Sequence, residues 1–298
     1  MDKIVECVPN FSEGRRKNVV DEIVDAMMLP GIKLLDREMD ADHNRSVITL
    51  AGDPRAIEEA AFRGIAVAAR LIDLDTHRGQ HPRMGATDVV PFIPIRGVTM
   101  DDCVAMARRL GERVARELDI PVYLYERAAT RPERRDLAYI RRGEYETLKH
   151  EIATNPERAP DFGPKRIGKA GATVIGARPF LIAFNVNLAN CELRVAKEIA
   201  SVVREKGGGL KSVKANGFFL REKNLAQVSM NLTEFNITGM LTAYQTVKAE
   251  AEKRGAQVVE SELVGLVPLE ALTQLAAQAL KLPSLNANQV LEMKIFGE

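Results

Sequence analysis

Ten consecutive residues, Thr76-His77-Arg78-Gly79-Gln80-His81-Pro82-Arg83-Met84-Gly85, hold two of the chain's four histidines together with two arginines. Histidine is the side chain whose ordinary pKa lies nearest neutrality, so a group that gives or takes a proton is sought here first. Two glycines and a proline make the stretch a loop. The four-residue spacing of His77 and His81 therefore does not set both rings on one face, as a zinc-binding helix would. No third ligand stands nearby, and no metal is expected. The plain alternative is a solvated polar loop. A second stretch, Leu35–Arg45, carries Asp36, Glu38, Asp40 and Asp42 with His43 and two arginines. A carboxylate from it, brought near His81, would orient the imidazole and raise its basicity. Otherwise it is the charged tip of a hairpin.

Two further stretches are shaped to hold ligands. Asp161–Gly171 (DFGPKRIGKAG) nearly spells a phosphate-binding P-loop. Ala170 stands where that loop needs a hydroxyl, no apolar strand precedes it, and the chain beyond reads as extended rather than helical. What is left is a basic, glycine-rich loop, either a linker or a wrap for an anion through lysine and backbone N–H groups. In Asn185-Val186-Asn187, alternation puts both amides on one face of an apolar strand, where a ligand or a second sheet must meet them. Gln227 and Asn231 raise the same question. Cys7, in a strand with no base beside it in sequence, reads as core.

These stretches need elements to position them. Lys3–Val8 reads as a strand and Asn10–Gly14 as a polar loop. Val19, Val20, Ile23, Val24 and Met27 mark a helix stopped by Pro30–Gly31. Strands follow at Ile32–Arg37 and Arg45–Ala51. Asp53–Pro54 starts a helix to Leu71, and Thr99 with Asp102 starts another to Leu118. Between them lie the histidine loop and a strand at Thr87–Ile95, and Pro121–Tyr125 adds a strand. From Phe180 the order repeats: strand, helix Cys191–Glu205, a hairpin turning around Arg221–Asn224, helix Ile237–Lys253, strand Val258–Val264 and a last helix from Pro268. The pattern is βαββαβ twice, the ferredoxin-like order of an α/β (α+β) chain. The halves divide at residues 1–178 and 179–298. One face of each sheet is expected to carry helices, with the open faces turned toward each other across a cleft or tunnel.

Composition removes several function classes. Forty-two Lys and Arg balance forty-one Asp and Glu for a net charge of +1, unlike a nucleic-acid coat. Aromatics are 5% and Trp is absent, too few for an aromatic platform. Three scattered cysteines fit a reducing compartment. With no apolar leader, and no run near the ~18–20 residues of a membrane helix, the chain reads as soluble and cytoplasmic.

Several segments together resemble the formiminotransferase family: VECVPNFSEG (Val5–Gly14), HRGQHPRMGATDVVPFIPIRGV (His77–Val98), PVYLYE (Pro121–Glu126), APDFGP (Ala159–Pro164), GATVIGARPFLIAFNVNL (Gly171–Leu188), KNLAQVSMNL (Lys223–Leu232) and SELVGLVPLEAL (Ser261–Leu272). The resemblance spans nearly the whole chain. It implies transfer of a formimino group from N-formimidoyl-L-glutamate to N5 of tetrahydrofolate, a co-substrate, in histidine degradation. It also implies two α/β subdomains with a ligand tunnel between facing sheets. The family's catalytic histidine falls on His81. An active-site aspartate falls on Glu38, which keeps the charge and adds a methylene. The folate-binding loop falls on Gly163, Pro164, Lys165, Arg166, Ile167, Gly168, Lys169, Ala170 and Gly171, about one residue shorter than usual and more basic. Both substrates carry carboxylates, so Arg45, Arg83 and Arg178 are substrate-binding candidates, with Asn44, Asn185 and Asn187 as polar partners. The resemblance further implies a homodimer. No room is left for the cyclodeaminase domain that follows in animal enzymes, so a separate cyclodeaminase would act on the product.

Three rival readings stand beside this one. A transferase acting on N-formyl-glutamate would look the same in sequence. Asn216-Gly217-Phe218-Phe219 faintly resembles an RNA-binding strand, against the charge balance and the low aromatic content. A catalytically silent folate carrier would not need His81.

Overall fold

The computed structural model describes residues 3–221 and 223–296. The chain forms two compact units, Met1–Arg178 and Pro179–Glu298. In the first, β1 (Ile4–Cys7) and β2 (Asn10–Phe11) precede α1 (Lys17–Met27), β3 (Ile32–Asp40), β4 (Arg45–Gly52), α2 (Pro54–Leu71), β5 (Thr87–Arg96), α3 (Met100–Leu118), β6 (Val122–Glu126), α4 (Leu137–Ile140), α5 (Glu144–Glu151) and β7 (Thr173–Ala177). The second runs β8 (Ile182–Ala189), α6 (Leu193–Val203), β9 (Val213–Leu220), β10 (Leu225–Leu232), α7 (Met240–Glu252), β11 (Gln257–Val264), α8 (Leu269–Leu280) and α9 (Leu291–Phe296).

The helix starts follow the capping residues. Asp53 accepts the Arg55 N–H ahead of Pro54. Thr99 and Asp102 form a reciprocal box at the head of α3.

The second unit has the strand order β11-β8-β10-β9, all antiparallel, which is the ferredoxin-like order of fourth, first, third and second strands. Its core joins Ile182, Phe184, Val186 and Leu188 to Ile199 and Val203 of α6 and Val247 of α7. Gly217 lets α6 close on β9, since a Cβ there would lie 2.4 Å from the Lys197 nitrogen. In the turn expected at Arg221–Asn224, Glu222 lies outside the described residues.

The first unit has the same order in β5-β1-β4-β3, with β2 continuing β1 past Pro9 between the same two neighbours. It then departs from the sequence reading. Beyond β5, two strands add in parallel, β7 and then β6, to make seven. These strands are covered on both faces, so helices on one side only does not describe them. Val90, Ile175 and Leu124 face the main core, while Val89, Val174, Tyr123 and Tyr125 face a second cluster that includes Ile140 of α4 and Leu148 of α5. Parallel strands are rarely left open on a face, and here the Pro132–Arg158 excursion closes it. Among the described residues, no helix is long and apolar enough to cross a membrane.

Candidate active site

β3 and β4 set the frame. Their register pairs Glu38 with Val47 and Asp40 with Arg45, so Glu38, Asp40 and Arg45 share a face. Ile48 and Leu50 of β4 point the other way, into the core beneath α1 and α2. Arg45 is thus carried on the face away from those helices. The turn that follows β3 places His43, whose Nδ1 is 2.7 Å from Asp40 Oδ2. Asn44 has φ +49°, and its side chain accepts from Gly14 N at 3.0 Å and donates to Arg78 O at 3.0 Å. One amide therefore joins the NFSEG loop, the hairpin and the histidine loop.

The histidine loop is braced at nearly every residue. Leu74 and Ala86 donate to Lys169 and Ala170, each at 2.8 Å, and Ala172 donates to Met84 at 2.9 Å. Ser12 Oγ donates to Gly85 O at 2.7 Å. Gly79 passes so close to the hairpin that a Cβ would lie 2.2 Å from His43 O. The buried Asp88 holds Met84 N at 2.9 Å. The loop is thus held at both ends and against the hairpin at Gly79, which positions a catalytic group.

Its two histidines differ. His77 is buried, with Nε2 3.0 Å from Asn44 O and Nδ1 accepting from Arg83 Nε at 3.3 Å. A carbonyl can only accept and a guanidinium can only donate, so the ring is neutral with its proton on Nε2. Burial, with Arg83 adding to it, holds its pKa below the ordinary value. His81 is half-buried, and Arg45 Nη1 donates to its Nε2, which must carry the lone pair. Burial first, then the charges of Arg45, Arg141 and His43, push its pKa down to about 2. The imidazole is neutral at working pH, and its basic nitrogen is covered by an arginine. Arg45 is itself brought down to about 10 by burial and by Arg141, against the opposing pull of Asp88, Glu38 and Asp40. Glu38 thus bears on the site through Arg45. The rings of His43 and His81 meet edge-on at 6.1 Å. Phe11, Ser12 and Asp88 complete the lining of a small cavity of about 10 Å³ among these side chains.

Of the other candidates, Asn44 and Arg83 line the same cavity. Arg83 is buried and held by Glu144 at 3.0 Å and Glu146 at 2.6 Å. Its charge is met within the unit. Arg178 follows β7, hydrogen-bonds to Tyr125 and acts on Glu6, a buried carboxyl whose pKa burial raises to about 7 against the pull of Arg178. Glu6 pairs with Ala51, six residues along β4 from Arg45 and so ~20 Å along the strand. Tyr125 feels the charges of both Arg178 and Arg141, and Glu6 lies on the same face of the sheet as Arg45, farther along it. Asn185 and Asn187 meet partners on their own sheet. Asn187 donates to Glu260 at 2.9 Å and accepts from Gln227 at 2.9 Å, and Asn185 donates to Glu262 at 3.3 Å.

The Gly163–Gly171 loop is pinned at both ends. Asp161 accepts from Leu124 N at 2.8 Å and Arg134 at 2.6 Å. Gly171 has φ +72°, and a Cβ there would lie 2.2 Å from Met84 O. Between the pins, Arg166 pairs with Asp119, while Lys165 and Lys169 are exposed without an ion pair among the described residues. Lys169 and Ala170 carry the carbonyls that brace the histidine loop, so the basic loop and His81 share one scaffold.

Residues 4–178 match the N-terminal subdomain of the formiminotransferase domain, and residues 183–291 match the formiminotransferase domain. The chain belongs to the formiminotransferase family. A glutamate formimidoyltransferase of Thermoplasma acidophilum is 52% identical over 295 residues, 98% of this chain and 97% of that protein. One from Streptococcus pyogenes serotype M1 is 45% identical over 300 residues, the full length of both. The rat formimidoyltransferase-cyclodeaminase is 49% identical over 285 residues, 93% of this chain but 52% of that protein. The family makes this chain a transferase.

Sequence reasoning missed three members of the site. His43 sat in a stretch read for its carboxylates. Asp88 left a signal, a lone carboxylate at the head of an apolar run. Arg141, from the segment after α4, left none.

Proposed function

We propose that this chain transfers the formimino group of N-formimidoyl-L-glutamate to N5 of tetrahydrofolate, with His81 carrying the proton. The observation that supports it best is the lone pair of His81 Nε2, held on a braced loop beside a basic, anion-ready loop. N5 of tetrahydrofolate attacks the amidine carbon and gives a tetrahedral adduct. His81 takes the proton that N5 loses and returns it to the nitrogen of glutamate. The carbon–nitrogen bond then breaks, and glutamate leaves as an amine. Proton transfer of this kind contributes about 10²–10⁴-fold, and holding both substrates together adds to it. Glu38 steadies Arg45, and Arg45 steadies His81. Lys165 and Lys169 attract the carboxylates of the folate. The setting is histidine breakdown in the cytoplasm, with the protein as a homodimer and a cyclodeaminase activity acting next on the product.

The test is turnover by the purified protein. With N-formimidoyl-L-glutamate and tetrahydrofolate, glutamate release and a folate product heavier by one formimino group are expected by mass spectrometry. Faster turnover of N-formyl-L-glutamate in a parallel reaction would overturn the choice of donor. No glutamate release from either donor by folded protein would overturn the function.

A further inference from the structure

A second guanidinium stands behind the Arg45–His81 contact. Arg141 follows α4 directly. Its side chain is 15% exposed and pairs with Asp88, which is 3% exposed. Asp88 lines the same small cavity as Arg45 and His81, and its other oxygen is committed to Met84 N. One carboxylate therefore holds Arg141 and pulls on the charge of Arg45. Among the described residues, Nε of Arg141 and Nε of Arg45 are both buried without a hydrogen-bond partner. Buried donors are seldom left unmet in a finished structure, and a planar anion is the group that two guanidinium edges satisfy.

We propose that Arg141 and Arg45 together seat a carboxylate of the amidine donor, and that filling this seat draws Arg45 off Nε2 of His81. The inference rests on the donor reading above and adds a residue and an order of events to it. In N-formimidoyl-glutamate the nitrogen that leaves is bonded to the carbon bearing the α-carboxylate. Seating that carboxylate beside His81 brings the leaving nitrogen within reach of the ring. Without donor, Arg45 covers the basic nitrogen. With donor, the anion offsets both guanidinium charges and uncovers it. The groups acting on His81 are Arg45 from β4, Arg141 after α4 and His43 from the turn, while Asp88 from β5 and Glu38 and Asp40 from β3 act on Arg45. His77 and Arg83, from the same loop, line the cavity. Burial and the two guanidiniums together hold the imidazole neutral, so an added anion moves its titration upward. Arg141 is a substrate-positioning residue in this account.

The test uses the full chain and L-glutamate, the released product, with no folate present. Nitrogen NMR of the labelled imidazoles, assigned against His81→Gln, follows His81 while glutamate binding is measured by calorimetry. Glutamate is expected to bind and to raise the His81 titration midpoint by about one pH unit or more. Arg141→Lys keeps a cation against Asp88, so it folds even where Arg141→Gln does not. It loses the fork that grips a carboxylate, and its glutamate affinity and donor KM are expected to worsen about tenfold, with kcat changed less. Three results would overturn the seat: no glutamate binding by wild type, binding that leaves the His81 signal unmoved, or equal binding by wild type and Arg141→Lys. Because this readout involves no transfer, a protein that passes it yet makes no folate product would refute the reaction and leave the seat standing.

Discussion

Two polar clusters, one on each unit, solve the same problem in opposite ways. On the second unit, Gln227, Asn187 and Glu260 form a row across three strands, and Asn187, fully buried, spends its amide on its neighbours. Lys223 closes the row on Glu260 at 3.1 Å. The row is in balance as it stands. Around His81 the balance is missing. A neutral imidazole is capped by a cation, a second cation stands behind it, and the Nε atoms of both guanidiniums are among the buried side-chain atoms without a partner among the described residues. Polar groups that satisfy one another hold a sheet together, whereas two cations beside a basic nitrogen leave room for an anion.

The sharpest way to break this contrast is to remove each loop histidine in turn. His81→Ala is expected to lower kcat about 10²–10⁴-fold while the melting temperature holds. His77→Ala is expected to do the reverse first, costing about 1–3 kcal/mol of stability because Arg83 and Asn44 lose a buried partner. If thermal melts and kinetics show the two variants alike, the loop is structural throughout.

Glu6 extends the contrast to pH. Its folded pKa lies above the ordinary carboxyl value, so the folded state holds its proton longer than the unfolded chain does. The stability it contributes is present below pH ~4.5 and is lost as the pH rises to about 7. Glu6→Gln is therefore expected to stabilise the protein at pH 8, by about 1–3 kcal/mol, and to gain nothing at pH 4. Denaturant melts at both pH values check it, and an unchanged or lower stability at pH 8 would show the carboxylate to be paired.

Asn187→Ala sharpens the other side. The loss expected is smaller, about 1 kcal/mol, because Glu260 is exposed and can turn to water. A fall in kcat without a fall in melting temperature would move the row into the working site. The smallest effect is expected from Lys165→Ala with Lys169→Ala. These exposed cations should weaken binding of polyglutamylated tetrahydrofolate severalfold, and the difference should fade as salt screens it. Binding that ignores both the substitutions and the salt would leave the loop as a linker.

Much of this was legible in the sequence, for local reasons. Asp53–Pro54 and Thr99 with Asp102 announce their helices through caps, alternation over Phe180–Leu188 reveals the strand found at Ile182–Ala189, and the turn residues at Arg221–Asn224 announce the hairpin that ends in Leu225–Leu232. The histidine loop stands out because its residue types are concentrated in one place. What could not be read depends on distance along the chain. Arg45 meets His81 across 36 residues, and Arg141 meets Asp88 across 53. No periodicity records such pairs. Helix α5 was missed because only Tyr145 and Leu148 are buried in it, too few to set a stripe. Glu260 and Glu262, the partners of Asn187 and Asn185, are unremarkable in an exposed strand until register sets them side by side.

The central claim is that one imidazole moves the proton during formimino transfer, and chemical rescue tests it most directly. His81→Ala, assayed with N-formimidoyl-L-glutamate and tetrahydrofolate, is predicted to regain turnover as free imidazole is added, with the gain saturating as the vacated site fills. Turnover near the wild-type rate in His81→Ala before any imidazole is added would contradict the account.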